Sequence, residues 1–175
     1  VIGSIPLPIV ALGFMDFVSM YMRSINSIAI MTILFAIVLY IAAARQRNEL
    51  NNFKTMSMYA IIIIGTMQAL AIIPGVSRSG IVITTALFLK FSRDDSIKIA
   101  FLLSIPALFM ATVYQSAKLY QLGDTNLLNE HLLGVSFSFI ASYLTIHFFI
   151  SSISKITFTP YIIYRILLGL VLLSI

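Results

Sequence analysis

The sequence predicts an all-α membrane protein, a polytopic helical bundle with a re-entrant hairpin made from a broken helix. Three observations predict it. Of 175 residues, 60% are hydrophobic and only 10% are charged, whereas soluble domains carry about a quarter charged residues. Four stretches, 25–44, 56–76, 99–117 and 132–154, contain no Asp, Glu, Lys or Arg. Each approaches or exceeds the ~20 residues that a helix needs to cross a bilayer. Finally, the stretches are continuously apolar, without the alternation of a barrel strand. Lipid offers the backbone no hydrogen bonds, so spans of this kind are helices.

Taken in order, the first apolar segment, 1–14, holds Pro6 and Pro8 and reads as an incomplete helix. Residues 25–44 form the cleanest span. The loop 45–54 sets Arg45, Arg47 and Lys54 against Glu49, a positive balance that places it on the cytoplasmic side. Residues 56–76 are long enough to span but carry Gly65, Pro74 and Gly75. The next uncharged stretch, 79–89, would make only ~16 Å of helix against a ~30 Å hydrocarbon core. A helix that short cannot cross alone. The reading is a descending helix, a break at 74–79, and a half-helix returning to the same side. Non-helical backbone at that depth is tolerated where it lines a cavity or is buried in protein.

The segment 90–98 is mildly basic, as a return to the first side requires. Residues 99–117 then cross, with a kink expected at Pro106. The loop 118–131, with Lys118, Asp124 and Glu130, is slightly acidic and reads as external. Residues 132–154 cross back, and 157–175 form the last span, opened by Pro160 and interrupted by Arg165. One transmembrane domain over 1–175 is expected. Because the chain starts at Val1 inside an apolar segment, it reads as the later portion of a longer protein. There are no cysteines, so no disulfide framework exists. The net charge of +5 does not indicate nucleic acid, because the basic residues are scattered through short loops and form no stripe.

Chemistry concentrates in Pro74-Gly75-Val76-Ser77-Arg78-Ser79-Gly80. An Arg at membrane depth is costly and marks a functional site or a buried pair. Its guanidinium can grip phosphate oxygens with two parallel hydrogen bonds. Pro74 and Gly75 break the preceding helix and permit unusual backbone angles. Ser79 and Gly80 open the half-helix, whose free N–H groups and positive dipole end favour an anion. Ser77 or Ser79 could donate hydrogen bonds, cap the helix or attack phosphorus. For the serines alone, capping is the competing account, and for Arg78 it is snorkelling to the headgroups. Their combination beside a helix break and a half-length helix favours an anion site.

The stretch from Gln68 to Gly80 resembles the second signature of the undecaprenyl-diphosphate phosphatase (bacitracin-resistance protein) family. Phe101-Leu102-Leu103-Ser104-Ile105-Pro106 and the stretch from Ile156 to Arg165 are similar to later parts of the family pattern, in the same order. The resemblance implies a multi-pass enzyme of the bacterial plasma membrane that hydrolyses undecaprenyl diphosphate to undecaprenyl phosphate, recycling the lipid carrier of peptidoglycan synthesis. It also implies two inverted repeats, each with a re-entrant hairpin, and use of a divalent metal, Mg or Ca. By position, Arg78 binds the diphosphate and Ser77 joins it as a catalytic candidate. Pro74, Gly75, Ser79, Gly80 and Thr84 are substrate-binding candidates.

Two departures stand out. The family pattern has a Thr two residues after the motif's Gly, where this chain has Val82, with Thr84 and Thr85 beyond it. A hydroxyl contact to phosphate is therefore lost or displaced. Nothing matches the family's earlier Glu-x-x-x-Glu motif, and Glu49 and Glu130 lack its spacing. The acidic half of the site is missing from this chain, so no metal ligand is assigned and the isolated chain is expected to be inactive.

Other polar residues have competing accounts. Arg165 either snorkels among Tyr161 and Tyr164 or makes a second phosphate contact or buried pair. His147 reads as a packing residue. Asp16, near Arg23, reads as interfacial, and Asp94-Asp95 as capping a helix through Ser96. Three functions compete: a polyprenyl-diphosphate phosphatase, a lipid-phosphate transporter or flippase built on the same broken helix, and a non-catalytic membrane subunit. The expected partners are the lipid diphosphate and the membrane, with no nucleic acid, and a homo-oligomer is left open.

Overall fold

The computed structural model describes residues 2–46, 51–121, 127–153 and 157–175, with side chains described outside 118–121, 127–133 and 149–153. The described residues fold into helices α1 (Pro6–Tyr21), α2 (Ile25–Arg45), α3 (Met58–Gln68), α4 (Arg78–Phe88), α5 (Arg93–Gln121), α6 (Leu127–Ile153) and α7 (Thr159–Leu173), with short 3-10 turns at Ile2–Ser4, Phe53–Thr55 and Ala69–Ile72. The all-α expectation holds. Three segments, Ile2–Tyr21, Ile25–Arg45 and Arg93–Ala117, are long and apolar enough to cross a membrane.

Two compact units divide the chain, Val1–Ala107 with Phe158–Ile175, and Leu108–Thr157. In the first unit, α2 is the centre. It packs against α7 and α4, α4 packs against α3, and the Ile2–Ser4 turn lies on α3. The buried strip of α2 is Ala29, Thr32, Ala36, Leu39 and Ala42. These side chains are mostly small and recur every three or four residues, so neighbouring backbones approach closely. Gly169 of α7 uses that approach, because a Cβ there would strike Ile33 and come within 3.1 Å of the Ala29 carbonyl.

Serines start the helices. Ser24, Ser57 and Ser77 accept hydrogen bonds from Ser27, Ala60 and Gly80 N–H at the starts of α2, α3 and α4. Each satisfies a donor that helix geometry leaves free. At the start of α5 the same job falls to Ser92, which accepts from Asp95 N–H at 3.0 Å. The expected cap through Ser96 is therefore corrected. Ser96 instead bonds back to the Ser92 carbonyl at 2.7 Å.

The hairpin expected from the half-length helix is present as α3 and α4. Its two outer ends are tied together. Asn51 N–H donates to the Lys90 carbonyl at 3.3 Å and the Asn51 amide to the Leu89 carbonyl at 2.6 Å. Phe53 N–H donates to Asp95 Oδ2 at 3.1 Å, and Gln46 Nε2 to the Phe91 carbonyl at 2.9 Å. Thus the chain leaves the end of α2, runs out along α3, turns at 73–76, and returns along α4 to where it started. A second end-of-helix device closes the return. Phe91 N–H bonds to Ala86 O and Lys90 N–H to Leu87 O, while Lys90 has φ of 62°. This is the paired-bond stop in which the residue after the helix turns left-handed.

Several expected boundaries move. The first helix is not confined to 1–14, since α1 continues through exposed Asp16 to Tyr21. A single exposed charge does not interrupt backbone hydrogen bonding, and Pro6 and Pro8 fall where the missing N–H groups cost nothing. The polar loop expected over 118–131 is narrower, because α5 extends to Gln121 and α6 begins at Leu127. The side chains of Glu49, Asp124 and Glu130 lie outside the described residues. α7 has 15 residues, or ~22 Å of helix, and so is shorter than the full span expected over 157–175. In the second unit, His147 packs its ring near Tyr143 and Phe148, at 6.3 and 6.2 Å between centroids.

Candidate functional site

The turn between α3 and α4 is built by its two special residues. Val76 N–H bonds to the Ile73 carbonyl at 3.1 Å, and Gly75 has φ of +93°. Pro at the second position and a positive-φ Gly at the third make a type II turn. Gly75 is also where the tip touches α2. A Cβ there would strike the Ile28 carbonyl and come within 3.1 Å of Met31 Cβ and Thr32 Oγ1. Ile28 and Thr32 lie roughly 20–25 Å along α2 from Arg45 at ~1.5 Å per residue. The tip therefore meets α2 within about two turns of its start, well away from the end where the hairpin begins.

Two side chains of α7 grip this turn. Arg165, only 4% exposed, donates through Nη2 to the Gly75 carbonyl at 2.6 Å. Thr32 Oγ1 approaches the same carbonyl at 3.4 Å. The Tyr161 hydroxyl donates to Ser77 Oγ at 2.8 Å, and its ring stands 5.8 Å from the Arg165 guanidinium, within cation–π range. Gly80 leaves room for this arrangement, because a Cβ there would lie 3.1 Å from Arg165 Nη1 and 3.0 Å from Ser77 Cβ.

Ser77, Arg78, Ser79 and Gly80 come together at the start of α4. Ser77 is the N-cap, with Oγ accepting from Gly80 N–H at 3.2 Å and lying 3.3 Å from Ser79 Oγ. Capping and membership of a polar cluster are thus both true of it. Arg78 is part-exposed, and no hydrogen bond or ion pair holds its guanidinium among the described residues. Pro74 and Gly75 shape the turn. Thr84 is not brought to the tip. It is buried in the second turn of α4, its hydroxyl donated to the Gly80 carbonyl at 2.7 Å, the usual back-bond of a helical Thr. Thr85 does the same to Ile81 at 2.8 Å.

The electrostatics of the tip are one-sided. Arg78 and Arg165 bring two cations to the N-terminal end of a helix, and among the described residues no carboxylate is paired with either. Asp95 is occupied at the far end of α4, with Phe53 N–H and with Lys98 at 3.5 Å. Among the described residues no three His, Cys, Asp or Glu side chains come together to hold a metal ion. The residues described therefore do not by themselves fit the divalent ion that the resemblance implies.

Arg165 does not snorkel, being buried on the Gly75 carbonyl; sequence reading names Tyr161 only as its interfacial neighbour and does not single out Thr32. A signal was available for Tyr161, which lies four residues before Arg165 and so shares its helix face. Residues 1–171 match the family described as Bacitracin resistance protein BacA. The chain belongs to that family. It is 39% identical over 169 residues to an undecaprenyl-diphosphatase of Saccharophagus degradans, covering 97% of this chain and 63% of the relative. Over 173 residues it is 40% identical to one from Campylobacter curvus, covering 99% and 65%, and 42% identical to one from Campylobacter concisus, covering 98% and 64%. The chain thus spans just under two thirds of the length of these relatives. In this member of the BacA family, the tip 74–80 and α7 as far as Val171 fall inside the matched region.

Proposed function

We infer that the protein carrying these residues is an undecaprenyl-diphosphate phosphatase of the bacterial plasma membrane, and that the tip of the α3–α4 hairpin holds the diphosphate. One observation carries this reading. Two guanidinium groups, Arg78 and buried Arg165, meet the N-terminal end of α4 with no carboxylate partner among the described residues. A buried cation without a counter-charge is costly, and an anion at the tip offsets that cost. The names of the relatives supply the substrate class.

Arg78 takes the diphosphate oxygens through its planar fork, which suits phosphate better than a point charge does. The first free N–H groups of α4 and the serine hydroxyls add donors to the same anion. Phosphoryl transfer depends chiefly on positioning and on stabilising charge at the transferring group, and these residues supply both. Arg165 acts from behind, holding the turn through the Gly75 carbonyl. The lipid tail of the substrate stays among the apolar helix faces.

The test is release of inorganic phosphate from undecaprenyl diphosphate by the protein reconstituted in vesicles. Release that falls at least a hundredfold in Arg78→Ala supports the reading. Movement of the intact lipid diphosphate between leaflets without phosphate release would replace it with a transporter.

A further inference from the structure

We propose that Tyr161 is a positioning residue of this site: its hydroxyl orders a donor chain through Ser77 that leaves the Ser79 O–H proton for the bound phosphate, with Ser77 a relay and not the attacking nucleophile. This rests on reading the tip as a diphosphate site. Ser77 Oγ receives the Tyr161 O–H at 2.8 Å and the Gly80 N–H at 3.2 Å. A hydroxyl oxygen has two acceptor lone pairs and one proton. Both lone pairs of Ser77 are committed. In its remaining contact, with Ser79 Oγ at 3.3 Å, Ser77 must therefore be the donor. The hydroxyls form a directed chain from Tyr161 to Ser77 to Ser79, which ends in an O–H proton on the exposed member.

That polarity suits an anion. A phosphate oxygen arriving beside Arg78 meets the Ser79 hydroxyl proton and the free N–H groups of α4. The same polarity opposes attack by Ser77, because a nucleophilic hydroxyl needs a base to take its proton and a free lone pair aimed at phosphorus. Tyr161 occupies one lone pair with a proton of its own. No carboxylate or His accepts from Ser77 among the described residues. Tyr161 is thus a positioning residue, set on the first turn of α7 and steadied by Arg165 one turn later.

Binding of farnesyl diphosphate to the detergent-solubilised protein, measured by calorimetry, tests this together with mass spectrometry of the protein during turnover. Ser79→Ala should weaken binding about tenfold or more, as expected for losing a hydrogen bond to a charged group, and Ser77→Ala several-fold, because Ser79 then loses the donor that orients its proton. Tyr161→Phe should weaken it several-fold. The double variant Ser77→Ala with Tyr161→Phe should match Ser77→Ala alone, since Tyr161 acts only through Ser77. A merely structural tyrosine would add its own loss in the double variant, and additivity would overturn the proposal. So would phosphoserine trapped at Ser77. Binding that depends on Arg78 yet ignores both Ser77→Ala and Tyr161→Phe would overturn the hydroxyl assignment alone. A wild-type protein that binds no farnesyl diphosphate would overturn the site itself.

Discussion

Arg165 on α7 donates to the carbonyl of Gly75 at 2.6 Å, across 90 residues of chain. The bond joins the last described helix to the turn that interrupts α3 and α4, so the shape of the tip depends on α7. Gly75 O cannot be satisfied within a helix, because the chain turns there, and Arg165 and Thr32 are what reach it.

Arg165→Ala leaves that part-buried carbonyl without its strongest donor. The expected loss is about 1.5–3 kcal/mol, the range for a hydrogen bond to a charged group, and it should show as a lower midpoint in thermal unfolding in detergent. Arg165→Lys should recover part of the stability but little diphosphate binding, since a Lys cannot hold the carbonyl and present a second N–H edge toward Gly80. Equal binding by Lys and Arg at this position would remove Arg165 from the site.

Gly75→Ala should be damaging for two separate reasons. The left-handed backbone alone costs a non-Gly residue roughly 1–2 kcal/mol. In addition, the new Cβ would meet the Ile28 carbonyl of α2 and sit 3.1 Å from Thr32 Oγ1, which the rigid helix cannot relieve. Loss of folded protein after extraction, or a sharply lower melting point, is the expected result. An unchanged melting point would mean that the turn has freedom the structure does not show.

How much of this was legible beforehand follows from the range of the interactions. The hairpin was readable because its causes are local: Pro74 and Gly75 break the helix, and a charge-free stretch of eleven residues is too short to cross. The serine caps are local as well. The grip of α7 was not readable, because Tyr161 and Arg165 reach their partners across 84 and 90 residues, and no periodicity encodes such a pairing. Arg165 could be flagged only by the cost of placing a cation in an apolar segment. The extent of α1 was misjudged because counting uncharged residues stops at Asp16, whereas the helix does not. Thr84 entered as a candidate only through the resemblance, as a displaced stand-in for the family's Thr, and its hydroxyl is back-bonded to the Gly80 carbonyl.

Lys90→Gly makes a prediction of the opposite sign. Lys90 carries φ of 62° in the stop that ends α4, a conformation that glycine adopts without penalty and lysine does not. Its side chain is exposed, so little packing is lost. After allowing for glycine's greater freedom in the unfolded chain, stability should rise by roughly 0.5–1 kcal/mol. A fall in the melting point would show that the Lys90 side chain contributes something its exposure hides.

Arg78→Lys separates charge from shape. The substitution keeps the positive charge but removes the planar fork that grips two phosphate oxygens. Phosphate release should drop at least tenfold while the melting point stays within a degree or two, because no hydrogen bond or ion pair holds Arg78 among the described residues. Near-normal turnover would show that a point charge suffices at the tip.

The exposure of the tip gives the last prediction. Ser79 is exposed at the start of α4, whereas its neighbours Val76 and Ile81 are buried at 7% and 2% exposure. If the break lines a water-filled cavity, one of the two settings in which irregular backbone is tolerated within a membrane, the exposed face of Ser79 meets water. Leu34 of α2 is exposed too, at 47%, but it belongs to a charge-free span and should meet lipid. Cysteines introduced singly at the two positions should therefore behave differently toward a membrane-impermeant thiol reagent. Ser79→Cys should be labelled and Leu34→Cys protected, and a polyprenyl diphosphate added first should slow labelling at Ser79. Detergent unfolding should make both react, which controls for a thiol that is absent or oxidised. Equal protection at the two positions in the folded protein would mean that α3 and α4 are ordinary lipid-embedded helices with no polar cavity at their junction.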